Sequence, residues 1–164
     1  MNDAIAISLK IIFLLGFTLH NIEEAIWLPK WSKLASKFHK PVASNQFIFA
    51  VIIVTMIGYL LTLFDILLGD NSIFYRYIYL GFVGMMGLNV IMPHLAGSII
   101  LKKYSPGLVT GLFLNLPISL IIIARCISNG LNVYYIILSI VLISCVILFL
   151  LKYLFILGDR LINQ

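Results

Sequence analysis

Charged side chains are scarce in this sequence. Only 10% of its 164 residues are charged, whereas 62% are hydrophobic, and the mean hydropathy is +1.12. Average soluble domains have about 25% charged residues, so the composition excludes an ordinary soluble protein. It predicts an all-α, polytopic membrane bundle. Five apolar runs are each long enough to cross a hydrocarbon core roughly 30 Å thick, at about residues 4–28, 46–68, 73–101, 107–127 and 133–157.

Cysteine is nearly absent as well. Cys126 and Cys145 lie far apart in two different apolar runs and form no CxxC pair. This spacing excludes a disulfide framework and a thiolate metal site. The first apolar run lacks the basic start and the small-residue cleavage site of a signal peptide, so we expect it to be retained. Because the loops between the runs are short, residues 1–164 are expected to form a single domain.

The net charge of +5 comes mainly from lysines and arginines between the apolar runs. In a membrane protein, cations in the loops are explained by its orientation in the membrane. The positive charge therefore gives no reason to expect nucleic-acid binding. With the N-terminus outside the cell membrane and the C-terminus in the cytoplasm, eight cations fall on the inner side and three near the outer ends. This orientation follows the positive-inside rule. The inner cations are Lys30, Lys33, Lys37, Lys40, Lys102, Lys103, Lys152 and Arg160, and the outer ones are Lys10, Arg76 and Arg125.

The segment between Pro29 and Pro41 is basic and amphipathic. Its lysines recur at spacings of three and four residues, and Trp31, Leu34 and Phe38 follow a helical period. This pattern predicts a short interfacial helix over residues 30–40 that lies on the inner leaflet. There, each lysine near an anionic lipid head group contributes about 1 kcal/mol.

Glutamate occurs at only two positions, Glu23 and Glu24, and both lie inside the first apolar run. His20 precedes them by three and four residues, so the three side chains share one face of a helix. A carboxylate deep in a bilayer helix costs roughly 2.5–3.5 kcal/mol on insertion scales. Two adjacent carboxylates therefore require partners, such as a shared metal ion or a proton.

The third apolar run supplies a candidate partner. Asn89 and His94 lie on either side of Pro93, which is expected to kink the helix and to free a backbone carbonyl beside a polar side chain. Earlier in the same run, glycines at every third position should permit close contact with another helix. They are Gly81, Gly84 and Gly87.

Helical rise predicts that the rare polar residues share one layer. His94 lies eight residues before Lys102, and His20 lies ten residues before Lys30. Both histidines should therefore lie in the inner half of the bilayer at nearly the same depth. Asn115 reaches the same level from the fourth run. The second run, with Asp65 near its outer end, and the aliphatic fifth run are expected to be structural.

These residues resemble the HXXEE family of small bacterial membrane proteins, named for the motif that here runs from His20 to Glu24. The resemblance spans about the first 120 residues. It implies a polar, enzyme-like site and gives no reaction. The segments that carry it are Trp27 and Trp31, Asn89 to His94, and Tyr104-Ser105-Pro106-Gly107 with Thr110 and Asn115.

A divalent ion bound by His20, Glu23, Glu24 and His94 would cancel most of the buried carboxylate charge. Two imidazoles with one or two carboxylates suit zinc with an open position, or iron or manganese. Either glutamate can be a ligand or the catalytic general base, and spacing does not choose between them. The polar residues expected to support the site are Asn89, Asn115, Thr110 and Tyr104.

The first hypothesis is therefore a metal-dependent membrane hydrolase or transferase, with membrane lipids or another hydrophobic molecule as substrate. A second is acid–base chemistry by Glu23 or Glu24 with His20, without a metal. A third is a component of proton- or ion-coupled transport or of a channel, which would need to oligomerise because five helices hold no inverted repeat. A fourth is a structural protein whose polar residues clamp helices together. The sequence leaves the oligomeric state open.

Overall fold

The computed structural model of this protein describes residues 5–34 and 43–162, which fold as a bundle of five long helices. All five are long and apolar enough to cross a membrane, which confirms the all-α, polytopic architecture expected from the apolar runs. The helices are α1 (Ile7–Ser32), α2 (Ser44–Leu68), α3 (Ile73–Leu101), α4 (Leu108–Ser128) and α5 (Val133–Ile162).

The first helix ends later than the sequence predicts. α1 continues through Pro29 to Ser32, so Lys30 and Trp31 belong to the membrane helix. Pro29 lies in its last turns, and membrane helices tolerate the one backbone hydrogen bond that a proline removes. The remainder of the predicted interfacial helix, residues 35–40, lies outside the described residues.

α3 is central to the bundle, because it packs against α2, α4 and α5, while α1 packs against α2 and α4. Glycines allow its close approach to α5. A Cβ atom at Gly81 would lie 2.7 Å from Ile143, and one at Gly84 would lie 2.3 Å from Ile140. Gly87 faces α4 instead. The glycine pattern therefore predicted close helix contact correctly.

An aromatic layer crosses the bundle between α1 and α3. It consists of Phe13, Phe17, Tyr79 and Phe82, all fully buried. The rings of Phe17 and Phe82 are 5.2 Å apart in an edge-to-face arrangement, and Phe13 lies 6.1 Å from Tyr79. Such pairs are favourable beyond the area that they bury. The layer separates two buried polar centres.

The first of these centres is an ion-pair network formed by Lys10, Asp65, Arg76 and Asp70. Lys10 Nζ lies 2.8 Å from one oxygen of Asp65, and Arg76 Nε lies 2.9 Å from the other. Arg76 also contacts Asp70 at 2.5 Å. The network joins α1, α2 and α3 at one end of the bundle. Sequence reasoning assigned these cations only to the outer helix ends and did not predict that Asp65 pairs with both.

Candidate functional site

Three side chains from α1 and α3 meet on the other side of the aromatic layer. Glu24 Oε1 lies 2.9 Å from His94 Nε2 and 3.6 Å from His20 Nε2. Both imidazoles are fully buried, and their ring centroids are 5.0 Å apart. The three candidate ligand atoms lie within 4.8 Å of one another. This cluster, which we call the His–Glu centre, can therefore hold one metal ion.

Local structure explains why these residues converge. His20 and Glu24 are four residues apart on α1 and project from the same face. His94 belongs to a π-helical segment of α3, Val90–Leu95, in which Met92 leaves the helical conformation (φ −132°, ψ 113°). Pro93 cannot donate a backbone hydrogen bond. The interruption of α3 that Pro93 predicted is thus observed, and it occurs in the segment that carries His94.

The other imidazole nitrogens are held by the α3–α4 loop, residues 102–107. His20 Nδ1 lies 3.0 Å from the carbonyl oxygen of Gly107. Because a carbonyl oxygen can only accept, Nδ1 carries the proton, and a neutral ring then has its lone pair at Nε2. His94 Nδ1 lies 3.4 Å from the hydroxyl of Ser105. Histidines that bind metals are usually oriented through their second nitrogen in this way.

Two asparagines were predicted to support the centre, and only Asn89 contacts its imidazoles. Asn89 Nδ2 lies 3.2 Å from the Nε2 atoms of both His20 and His94. A half-turn of this amide brings Oδ1 to the same point, where it would offer an oxygen ligand. Asn115 is fully buried beside Gly16, which precedes His20 by four residues on α1, and its amide has no hydrogen-bond partner among the described residues.

Glu23 lies outside the His–Glu centre, although sequence reasoning had grouped it with Glu24. One oxygen of Glu23 accepts hydrogen bonds from the Tyr104 hydroxyl and, at 2.7 Å, from the Gly107 backbone amide. The other oxygen accepts from the Thr110 hydroxyl at 2.7 Å and from its amide at 3.3 Å. Glu23 therefore fastens the α3–α4 loop and the start of α4 to α1.

All of the donors to Glu23 are neutral. Partial burial and the hydrogen bond to Glu23 raise the pKa of Tyr104, so this phenol remains protonated and donating at neutral pH. The described residues place no lysine or arginine in an ion pair with either Glu23 or Glu24. Neither carboxylate is therefore paired with a permanently charged side chain in the described part of the chain.

Gly107 is a residue of the site that sequence reasoning did not assign. Its φ of +91° favours glycine. A Cβ atom here would lie 2.8 Å from Cε1 of both His20 and His94, and 3.2 Å from Cγ of Glu24. Only glycine lets the loop backbone pack against both imidazoles. The Pro-Gly pair at 106–107 signals a turn, but nothing in the sequence says what the turn contacts.

The fold and this buried centre define a polytopic helical membrane protein with a His/Glu cluster inside its bundle. Over residues 11–122 the sequence matches the family described as "Protein of unknown function with HXXEE motif", and the chain belongs to this family. It is 46% identical over 149 residues to the uncharacterized protein YrkK of Bacillus subtilis (strain 168), which covers 90% of this chain and 94% of that protein. No solved structure matches.

Proposed function

We propose that the chain is a metal-dependent membrane enzyme, and that His20, Glu24 and His94 bind one divalent ion. The supporting observation is that both Nε2 atoms converge on Glu24 Oε1 while both Nδ1 atoms are engaged by the α3–α4 loop. Two imidazoles and one carboxylate suit zinc with an open position, or iron or manganese.

The charges of the site also support a cation. Glu24 contacts two imidazoles, and Glu23 contacts only neutral donors. Buried carboxylates without cationic partners are expensive in a bilayer. A divalent ion would balance the carboxylate charge at the only position where two imidazole nitrogens and a carboxylate already converge in the described part of the chain.

The reaction class that fits this arrangement is hydrolysis or group transfer. A divalent ion in such a site supplies an activated water or polarises a carbonyl or phosphoryl oxygen. Glu24 is the ligand in this proposal, and Glu23 positions the loop that holds the imidazoles. In hydrolysis, the water oxygen bonds to the acyl carbon or phosphorus, the bond to the leaving oxygen or nitrogen breaks, and that leaving atom takes the proton that the water releases. Because the centre lies inside an apolar bundle, the substrate is hydrophobic.

The expected orientation would bring this chemistry to the inner half of the cell membrane. The five spans alternate in direction, so the end of α1, the α3–α4 loop and the end of α5 lie at one end of the bundle. That end carries most of the cations, including Lys30, Lys102 and Lys103. The positive-inside rule then favours an external N-terminus and a cytoplasmic C-terminus.

Transport and a purely structural role have less support. Ion or proton pathways through membranes use connected polar groups, whereas here the aromatic layer separates the His–Glu centre from the ion-pair network. A helix clamp needs only interhelical hydrogen bonds, which are worth about 0.6 kcal/mol on average. Such modest stabilisation does not explain two oriented imidazoles around one carboxylate.

Elemental analysis of the purified protein tests the proposal. The wild type should retain about one zinc, iron or manganese per chain, and His20→Ala, His94→Ala and Glu24→Gln should each lose it. Asp159→Asn, which removes an exposed carboxylate of α5, is the matched control and should keep the metal. A wild type that binds no metal even after reconstitution would contradict the proposal, and proton flux in sealed vesicles would then be the next measurement.

Activity is tested on the metal-loaded protein in lipid nanodiscs. Incubation with a neutral lipid extract should release hydrolysis or transfer products that mass spectrometry detects. Glu24→Gln should abolish the release, and a chelator should suppress it in the wild type. Product release that is equal in the wild type and in Glu24→Gln would argue against catalysis at this centre.

A further inference from the structure

An apolar cavity of about 230 Å³, which we call the chamber, lies beside the His–Glu centre among α1, α2, α3 and α5. Three polar side chains also line it: Glu24, Asn21 and Asn89. Most of the wall is aromatic, aliphatic or methionine. These residues include Phe17, Phe47, Met85, Met86, Leu151 and Phe155.

The chamber is the cavity that reaches the candidate metal site. Glu24 lines it and contacts both histidines, and Asn89 lines it and contacts the same two imidazoles. A larger groove of about 850 Å³ lies on the side of α1 that carries Glu23 and Trp27, but none of the three residues of the His–Glu centre lines it. The chamber therefore offers a substrate a route to Glu24.

The chamber also reaches the lipid-facing surface. Leu148 of α5 lines it and is 68% exposed. The chamber therefore borders the lipid-facing surface of α5, and a hydrophobic molecule dissolved in the membrane can approach it from that side. The volume lies below the roughly 300–1,000 Å³ of drug-sized ligand pockets, so it accommodates one narrow chain and is too small for a lipid with two chains. Methionines such as Met85 and Met86 adapt readily to a flexible chain.

Charge limits the polar end of the occupant. Glu24 supplies a carboxylate, and no lysine or arginine of the described chain lines the chamber. The proposed divalent ion is already balanced by the carboxylates of Glu23 and Glu24, so a phosphate or free carboxylate at this end would add a negative charge that no side chain of the chamber balances. Asn21 Nδ2 donates one of its two hydrogens to Thr55 and can offer the other to a neutral acceptor.

We infer that the chamber binds a single unbranched hydrocarbon chain that ends in a neutral carbonyl group, such as an ester or amide, directed at Glu24 and Asn89. This inference rests on the proposed function, because it names the substrate class of the same site. The larger groove has a different lining and takes no part in it.

Photolabelling in phosphatidylcholine nanodiscs tests the inference. The probe is a fatty-acid methyl ester with a diazirine at the far end of its chain, and mass spectrometry locates the labelled residues. In the wild type, labels should fall on chamber residues such as Met85, Met86 and Phe155. Unlabelled methyl decanoate should compete, whereas methyl butyrate should compete weakly because it buries less apolar surface.

A matched pair of variants separates the chamber from bulk lipid contact. Ala50 is fully buried and lines the chamber, so Ala50→Phe fills it. Labelling should then fall about tenfold, the effect of 1.4 kcal/mol on a binding equilibrium. Ala124→Phe adds the same ring at an exposed position of α4 and should leave chamber labelling unchanged. The competition experiment uses only the wild type and does not depend on the folding of Ala50→Phe.

Metal content measured on the same samples distinguishes this inference from the proposed function. Bound metal with chamber labelling that Ala50→Phe removes supports both. Bound metal with labels spread over lipid-facing residues, insensitive to methyl decanoate and to Ala50→Phe, overturns the chain site and leaves the metal site standing. Competed chamber labelling in a wild type without metal supports the chain site and overturns the metal enzyme.

Discussion

At one end of the bundle Asp65 lies between two cations, Lys10 and Arg76. About 21 Å from Lys10 along α1, Glu24 instead lies between two imidazoles. Both groups are buried polar clusters that join α1 to α3. The ion-pair network contains two cations and two carboxylates, so its formal charge is balanced by side chains. In the described chain, no lysine or arginine pairs with Glu24 of the His–Glu centre or with the neighbouring Glu23.

This difference assigns different tasks to the two regions. A cluster with internal charge balance needs no ligand and serves to fasten helices. A cluster in which two imidazoles converge on one carboxylate, with no lysine or arginine beside it, can instead hold a cation. The backbone around the His–Glu centre is also less regular. Here α3 and α4 each contain a π-helical segment, Val90–Leu95 and Gly111–Asn115. π-helical turns in α-helices are frequent at functional sites.

The largest effect on stability is expected from Asp65→Asn. This change leaves Lys10 and Arg76 buried without their shared carboxylate, and breaking a buried pair costs about 3–5 kcal/mol. Thermal unfolding in detergent measures the loss, and Asp159→Asn serves as the exposed control. Metal content per folded chain should not change, because the aromatic layer lies between the two centres. If Asp65→Asn lost metal but kept its stability, the two centres would not have the separate roles assigned to them.

Metal removal should have the next largest effect, and only in proteins whose His–Glu centre is intact. A ligand held at 100 times its Kd stabilises the folded state by about 2.7 kcal/mol, so a chelator should lower the unfolding temperature of the wild type. Glu24→Gln should show no chelator effect, whereas Asp65→Asn should retain it. Equal chelator effects in the wild type and in Glu24→Gln would show that the metal lies elsewhere.

Two glycine substitutions separate backbone strain from contact with the site. Gly107 and Gly130 both have positive φ, +91° and +89°, but a Cβ at Gly130 has no neighbour within 4 Å. Gly107→Ala displaces both imidazoles and should weaken metal binding by roughly 10–100-fold, as loss of orienting contacts does. Gly130→Ala carries similar backbone strain and should keep the wild-type affinity. Metal titration of both variants checks this, and equal affinities would show that contact with Gly107 does not orient the imidazoles.

The smallest effect is expected from Glu23→Gln. Hydrogen bonds to charged groups contribute about 1.5–3 kcal/mol and neutral ones about 0.5–1.5 kcal/mol, so the α3–α4 loop should loosen by about 1 kcal/mol. Hydrogen exchange at the backbone amides of Gly107 and Thr110 should then become about five times faster. The exchange rate at the Gly130 amide should not change. Metal content should remain near wild type, since Glu23 holds the loop and not the metal. Loss of metal in this variant would make Glu23 a ligand.

The sequence predicted more of the architecture than of the site. Apolar length predicted five spans, and Pro93 predicted the interruption of α3, because both depend on local chemistry. Spacing along one helix grouped His20 with both glutamates, but it could not tell which carboxylate faces α3 and which faces the loop. Lys10, Asp65 and Arg76 come from three different helices, and their pairing has no local signal.

The sequence alone determined that the protein is an all-helical membrane bundle of the HXXEE family and that two carboxylates are buried in its first span, because hydrophobicity and helical rise are properties of single segments. Tertiary structure alone decided that Glu24 meets His20 and His94, that Glu23 holds the α3–α4 loop, and that Gly107 packs against both imidazoles. Those contacts depend on how α1, α3 and α4 rotate and pack against one another. Residues that are far apart in the sequence determine this packing jointly. The spacing of residues within one helix therefore does not predict it.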